Sequence, residues 1–213
     1  MGAKERRERE RFDARNRILE AAREMFEMKG YEAVTMRAIA DRIEYTPTAL
    51  YHHFSSKHEL LTELCAAEFA QLGRQILRKS KAAGPIERLR IATETYLKFA
   101  EKHPSQYRFL FMTVLPPFTE EGFRPHHQFD DPEQDAYAYL RQTCADAIAE
   151  GLLRPEYDDP DALAQMLWGA VHGHISLRMA KNYQEFVPWK DLRSMVMTTI
   201  DAMLRGLMLP TKS

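Results

Sequence analysis

The sequence predicts an all-α fold of about nine helices, on three observations. Apolar residues recur at the 3.6-residue spacing of helices along most of the chain. Period-2 alternation rich in Val, Ile and Thr, the mark of strands, is nearly absent. Caps and breakers fall between the apolar stripes, where helices have to start and stop.

The 213 residues are 45% hydrophobic and 29% charged, enough for a sizeable core in one large or two small domains. The 30 basic residues nearly cancel the 31 acidic ones, so binding to an acidic polymer has to come from a local patch. No apolar run approaches the roughly 18 residues that cross a bilayer, and the charged opening "MGAKERRERERFDARNR" has no apolar signal region. A cytoplasmic protein with no membrane partner is expected. Cys65 and Cys144 lack CxxC spacing, which argues against a disulfide framework or a cysteine zinc site and favours buried thiols over a redox switch.

Ile18, Ala22, Met25 and Phe26 form the first stripe, closed by Gly30, which suits the position just past a helix end. Met36, Ile39, Ala40 and Ile43 form the second, and Thr35 can cap it by accepting from early backbone amides. A short third stripe, Leu50 with Phe54, is capped by Thr46 and opened by Pro47, whose missing amide proton costs nothing there. Three short helices are therefore expected before residue 56.

Ser56 and Glu59 have capping-box spacing and introduce a long helix with Leu61, Cys65, Phe69, Leu72 and Ile76 on one face, to about Lys81. Pro85 opens the next, with Ile86, Leu89, Thr93, Tyr96 and Ala100 on one side. Pro104 then begins an apolar helix through "QYRFLFMTVL". The stretch from about Pro116 to Asp131 has proline, glycine and charge without periodicity and is predicted to be a mobile loop. Three further helices are expected over roughly 132–151, 160–183 and 189–208.

The second and third stripes are joined by "EYT", the length of a helix-turn-helix connection. On a helical wheel Phe54 lies about 40° from Leu50, whereas Thr48 and His52 lie about 160° and 200° away. Thr48 and His52 point outward with Tyr51 and Ala49 at their flanks, a slim face suited to a major groove roughly 12 Å wide. Tyr51 can donate to a phosphate, His52 to a phosphate or a base edge, and Thr48 can lay its methyl on thymine. Lys57 can add a charged phosphate contact. The competing reading is an ordinary amphipathic surface of a bundle. Cap, proline, turn length and the two inward residues together favour the groove reader.

The segment "GYEAVTMRAIADRIEYTPTALYHHFSSKHELL" resembles the DNA-binding signature of the tetracycline-repressor (TetR) family of bacterial transcriptional regulators, over about residues 12–64. The resemblance rests on Gly30 followed by an aromatic residue, on Thr35, Ile39 and Ala40, and on Leu50, Tyr51, Phe54, Lys57 and Leu60. It implies phosphate contacts from Tyr51 and Lys57, with Thr46, Pro47, Thr48, Ala49 and His52 facing DNA. Thr35 and Arg37, at the start of the second helix, join the expected DNA-binding set. Glu44 departs from the pattern, since many members have glycine there; a differently shaped turn would accommodate it. Residues 1–58 are expected to be the helix-turn-helix domain and 59–213 a helical effector-binding and dimerisation domain.

Lys4, Arg6, Arg7, Arg9, Arg11, Arg15 and Arg17 could enter a minor groove. Glu5, Glu8, Glu10 and Asp13 interleave with them at pairing distances, which favours a solvated extension of the first helix.

One such unit covers little DNA, and half-sites about 34–36 Å apart are read by two-fold dimers. Leu163, Leu167, Val171 and Ile175, with Leu192, Val196, Ile200, Met203 and Leu207, belong to two late helices that are apolar on more than one face. They are expected to form a homodimer interface, in the isologous four-helix arrangement that the resemblance implies. "WGAVHG", Trp168 to Gly173, is similar to the WHG-type C-terminal domain of the same family.

Phe69, Leu72, Tyr96, Phe99, Tyr107, Phe111 and Trp168 are most plainly bundle core. The resemblance implies that the bundle holds a ligand cavity, lined by these residues and His172, for a small apolar or aromatic effector. His172 is either a hydrogen-bonding group for that effector or a satisfied core histidine. The implied function is a repressor released from a palindromic operator when effector favours one bundle state, a coupling of about 1–3 kcal/mol. A bundle that recruits a protein partner is the alternative.

GxSxG, HExxH, P-loop and dinucleotide glycine patterns are missing, so a bundle enzyme is disfavoured and no catalytic residue, metal or cofactor is expected. His126 and His127 with Asp130 and Asp131 lack regular ligand spacing and are assigned to a solvated loop.

Overall fold

The computed structural model describes residues 2–112, 131–181 and 187–210. Among them are nine helices: α1 Ala3–Lys29, α2 Met36–Arg42, α3 Pro47–Tyr51, α4 Lys57–Ser80, α5 Pro85–Lys102, α6 Pro104–Met112, α7 Ala136–Ala149, α8 Pro160–Lys181 and α9 Leu192–Leu207. The only β-type pairing among the described residues is one antiparallel bridge, Leu153 to Met208. The expected loop and its two histidines, His126 and His127, lie outside the described residues.

The chain divides into two compact units, and the division does not fall at residue 58. Lys57 to Glu68, the first half of α4, clusters with α1 to α3 and with residues 105–112 of α6. The second half of α4 clusters with α5, α7, α8 and α9. A boundary at 58 would cut α4 in its first turn, where Leu60, Leu61 and Leu64 are already fully buried.

In the first unit, α1 includes the charged start, as its interleaved charges favour. It runs for 27 residues from Ala3, and the arginine-rich start is an exposed helical extension with Arg6 and Glu10 paired at 3.6 Å, four residues apart. Ile18, Ala22 and Phe26 from α1 meet Val34, Ile39, Leu50 and Phe54 in a core closed to solvent. Gly30 ends α1 at φ 79°, a left-handed value natural for glycine, and its amide donates to the Phe26 carbonyl at 2.9 Å. The Thr35 and Thr46 hydroxyls accept from the amides of Ala38 and Ala49, each at 3.1 Å, as their cap positions require. Before α4 the expected reciprocal box is shifted. Ser56 Oγ accepts from the Glu59 amide at 3.0 Å, but the Glu59 carboxylate accepts from the Ser55 amide and hydroxyl, each at 2.6 Å, and not from Ser56.

In the second unit α8 packs against α7 and α9, and α5 lies along all three. Arg90 pairs with Asp201 at 2.8 Å and ties α5 to α9, while Arg88 pairs with Asp146 of α7. The bridge at Leu153 adds two backbone bonds, Arg154 amide to Leu207 carbonyl at 2.9 Å and Leu209 amide to Leu152 carbonyl at 3.1 Å. These bonds fasten the end of α9 to the segment after α7. Gly73 admits the start of α7: a Cβ there would sit 3.1 Å from the Ala136 nitrogen and 3.2 Å from the Asp135 carbonyl carbon.

Both cysteines are buried thiols, one in each unit. Burial pushes each up to about 12, so neither is a ready thiolate. No helix among the described residues is long and apolar enough to cross a membrane.

Candidate nucleic-acid interface

Leu50 and Phe54 have no exposed surface, and they anchor a single-turn helix whose other side faces out. Thr46, Pro47, Thr48, Tyr51 and His52 are exposed and Ala49 half-exposed, as the wheel requires. Tyr51 is 53% exposed, a large value for an aromatic side chain with a fixed backbone beneath it. The exposed run from Thr46 to His52 contains no carboxylate. Arg37 is exposed on α2, two residues beyond the Thr35 cap. Hydroxyls and an imidazole thus share a narrow ledge, the chemistry that hydrogen-bonds phosphates and base edges.

Two residues depart from expectation. The turn at Glu44 keeps the left-handed conformation, φ 58°, so glutamate is held where glycine would sit without strain; the turn is not reshaped. Lys57, expected at a phosphate, turns its ammonium inward. Its Nζ donates to the carbonyls of Tyr31 at 2.9 Å and Val34 at 3.0 Å and lies 4.1 Å from the centre of the Tyr31 ring.

Arg15, one of the basic residues that precede the first apolar stripe, is a supporting residue. It donates to the His53 carbonyl at 2.6 Å, pairs with Glu63 of α4, and covers the Phe54 ring at 4.1 Å. It thereby joins α1, the end of the reader helix and α4. Its spacing of three from Ile18 places it on the inner face of α1 and is the signal that could have found it. His53 sits beside it, and burial, with Arg11, Arg15 and His52 nearby, holds its imidazole below the ordinary histidine value. Arg23 of α1 meets the buried Glu68 at 2.6 Å, and Gln106 of α6 donates to the same carboxylate. Burial pushes Glu68 up, against the opposing effect of Arg23.

Of the eight residues expected around an effector, the second unit brings together Tyr96, Trp168 and His172. The Trp168 indole donates to the Tyr96 hydroxyl at 3.1 Å, and that oxygen lies 3.3 Å from His172 Nδ1. Burial holds His172 below its ordinary value, which favours the neutral imidazole. Leu72 is buried, Phe69 is half-buried, and Phe99 packs on the His103 ring at 5.6 Å. Tyr107 and Phe111 belong to the first unit, where their rings lie 5.0 Å apart. No group of three or more His, Cys, Asp or Glu that could hold a metal occurs among the described residues.

Comparison with known proteins decides the family. Residues 18–64 match the family of bacterial regulatory proteins named for tetR, and residues 89–203, more than half the chain, match the tetracyclin repressor-like C-terminal domain. The chain belongs to the tetracycline-repressor family. That family is one of bacterial regulatory proteins.

Among TetR relatives, the HTH-type transcriptional repressor KstR2 of Mycobacterium tuberculosis is 31% identical over 160 residues, which is 61% of this chain and 76% of that one. The HTH-type transcriptional activator FasR of Mycolicibacterium smegmatis is 38% identical over 104 residues, 47% of each chain. The chain spans about half the length of FasR and of the repressor KstR. The solved fatty acid degradation regulator FadR from Bacillus halodurans has the same fold, with a TM-score of 0.70 at 17% identity over 90% of this chain and 98% of that one.

The residues expected at a TetR-type dimer interface need correction. Leu163, Leu167, Val171 and Ile175 of α8, and Val196, Ile200 and Leu207 of α9, are all buried within one chain. They fill the seams where α8 packs on α7 and α9, so they form the bundle core. Leu192 and Met203 remain half-exposed. The outward stripe of α8 consists of Met166, Gly169, Ala170, Gly173 and Leu177, and that of α9 of Met195, Ala202, Met203 and Gly206. Neither stripe contains a charge.

Proposed function

We propose that this chain is a homodimeric transcriptional repressor that binds a palindromic operator and is released by a small apolar or aromatic effector. The supporting observation is the exposed ledge of Thr46, Thr48, Ala49, Tyr51 and His52 on the fully buried pair Leu50 and Phe54. Tyr51 and Arg37 hold phosphates; Thr48, Ala49 and His52 face base edges; Thr46 and Pro47 start the reader helix, and Thr35 holds α2. The first compact unit, with α1 to α3 and the first half of α4, is the reader, and the second is the part that binds effector and dimerises. Repression follows KstR and KstR2, both repressors by name, although FasR is an activator. The protein works in the cytoplasm, where its operator is.

Two copies join through the uncharged outer stripes of α8 and α9, where Gly169, Ala170, Gly173, Ala202 and Gly206 let helices approach closely and Met166, Leu177, Met195 and Met203 add apolar contact. The Tyr96, Trp168 and His172 cluster supplies polar groups to an effector otherwise held by apolar contacts.

Selection of duplexes from a random-sequence pool by the purified protein tests the reading. The expected product is a two-fold symmetric sequence. Tyr51→Phe weakens binding to every duplex alike, whereas Thr48→Ala or His52→Ala changes the preferred sequence. Recovery of no sequence above the random background overturns the reading.

A further inference from the structure

Lys57 opens α4, yet its amine closes the turn between α1 and α2. Tyr31, one of its two carbonyl partners, follows Gly30 at the end of α1. Val34, the other, precedes the Thr35 cap of α2. The ammonium also lies over the Tyr31 ring. That ring is 5.5 Å from Phe26, which stacks on Phe109 of α6 at 5.7 Å. Two of the three ammonium protons are thus committed to backbone oxygens, in charge-assisted bonds stronger than neutral ones. A side chain so held has given its best donors to its own chain.

We infer that Lys57 is a positioning residue for DNA recognition: it holds the α1–α2 turn, and through it the Thr35 cap and Arg37, instead of neutralising an operator phosphate. The inference rests on the DNA-reading assignment above. It turns α4 into the element that sets the reader, because the first residue of α4 fixes the start of α2. Arg15 with Glu63 and Arg23 with Glu68 attach α1 to the same helix further along, so α1, α2 and the first half of α4 move as one piece.

Salt dependence separates the two roles, because each phosphate contact on B-DNA contributes about 0.9 to the slope of log affinity against log salt. Lys57→Met keeps the length of the side chain and removes both donor and charge. With a duplex recovered by the wild-type protein as probe, this variant is expected to bind roughly tenfold or more weakly at one salt concentration, with the slope unchanged. In the free protein, amide hydrogen exchange over residues 34–39 is expected to quicken. A slope shallower by about 0.9 overturns the inference, as does binding equal to wild type or unchanged exchange. If the wild-type protein selects no duplex, the DNA-reading assignment fails, and the exchange measurement still decides whether Lys57 holds the turn.

Discussion

Glu44 shows what single residues contribute to this reader and what they cost it. An L-residue at φ 58° places Cβ close to its own carbonyl oxygen, a strain of about 1–2 kcal/mol that glycine escapes. Glu44→Gly is therefore expected to raise stability by about 1 kcal/mol, after the extra freedom of glycine in the unfolded chain is subtracted. Urea unfolding measures it, and a lower midpoint contradicts the assignment. Residue-scale patterning elsewhere was legible: Leu50 and Phe54 are inward and Thr48 and His52 outward because one face of a capped turn has to be buried. Lys57 was not legible, since its partners are backbone carbonyls, which every residue has and no side-chain pattern marks. Arg15 was hidden among other arginines for a similar reason.

At the scale of elements, caps and breakers located most helices, because Thr35, Thr46, Gly30, Pro47 and Pro85 act on backbone groups within a turn of themselves. The charged start of α1 was legible from its interleaved charges rather than from an apolar face. Its first turns have no apolar stripe, and their helicity rests on alternating charge and propensity. Gly73 escaped notice, since a glycine inside an apolar helix shows its purpose only when a neighbour arrives. In Gly73→Val a branched side chain would meet the Asp135–Ala136 backbone, which cannot rotate away. The expected loss is about 1–3 kcal/mol, read from thermal unfolding; equal stability would show that α7 shifts freely.

The whole molecule separates folding from assembly on α8 and α9. Ile200→Ala removes a buried side chain and is expected to cost about 2–5 kcal/mol of chain stability. Ala202→Glu places a charge on the uncharged outer stripe of the same helix. It is expected to leave the fold intact, yield monomers by sedimentation, and abolish tight operator binding. A dimer with unimpaired DNA binding would place the interface elsewhere. The second helical face is visible in the sequence, but of the residues expected at the interface seven are buried in the chain's own core and only Leu192 and Met203 stay half-exposed: apolarity alone marks burial without saying which partner covers it.

Periodicity, caps and turn length, all read within a few residues, determined by themselves that this chain is helical and which face of α3 is the exposed ledge. Only the tertiary structure decided which apolar face is core and which is free, where the compact units divide, and that Lys57 serves the chain's own backbone. Those outcomes depend on contacts between residues far apart in sequence, and local spacing contains no record of them.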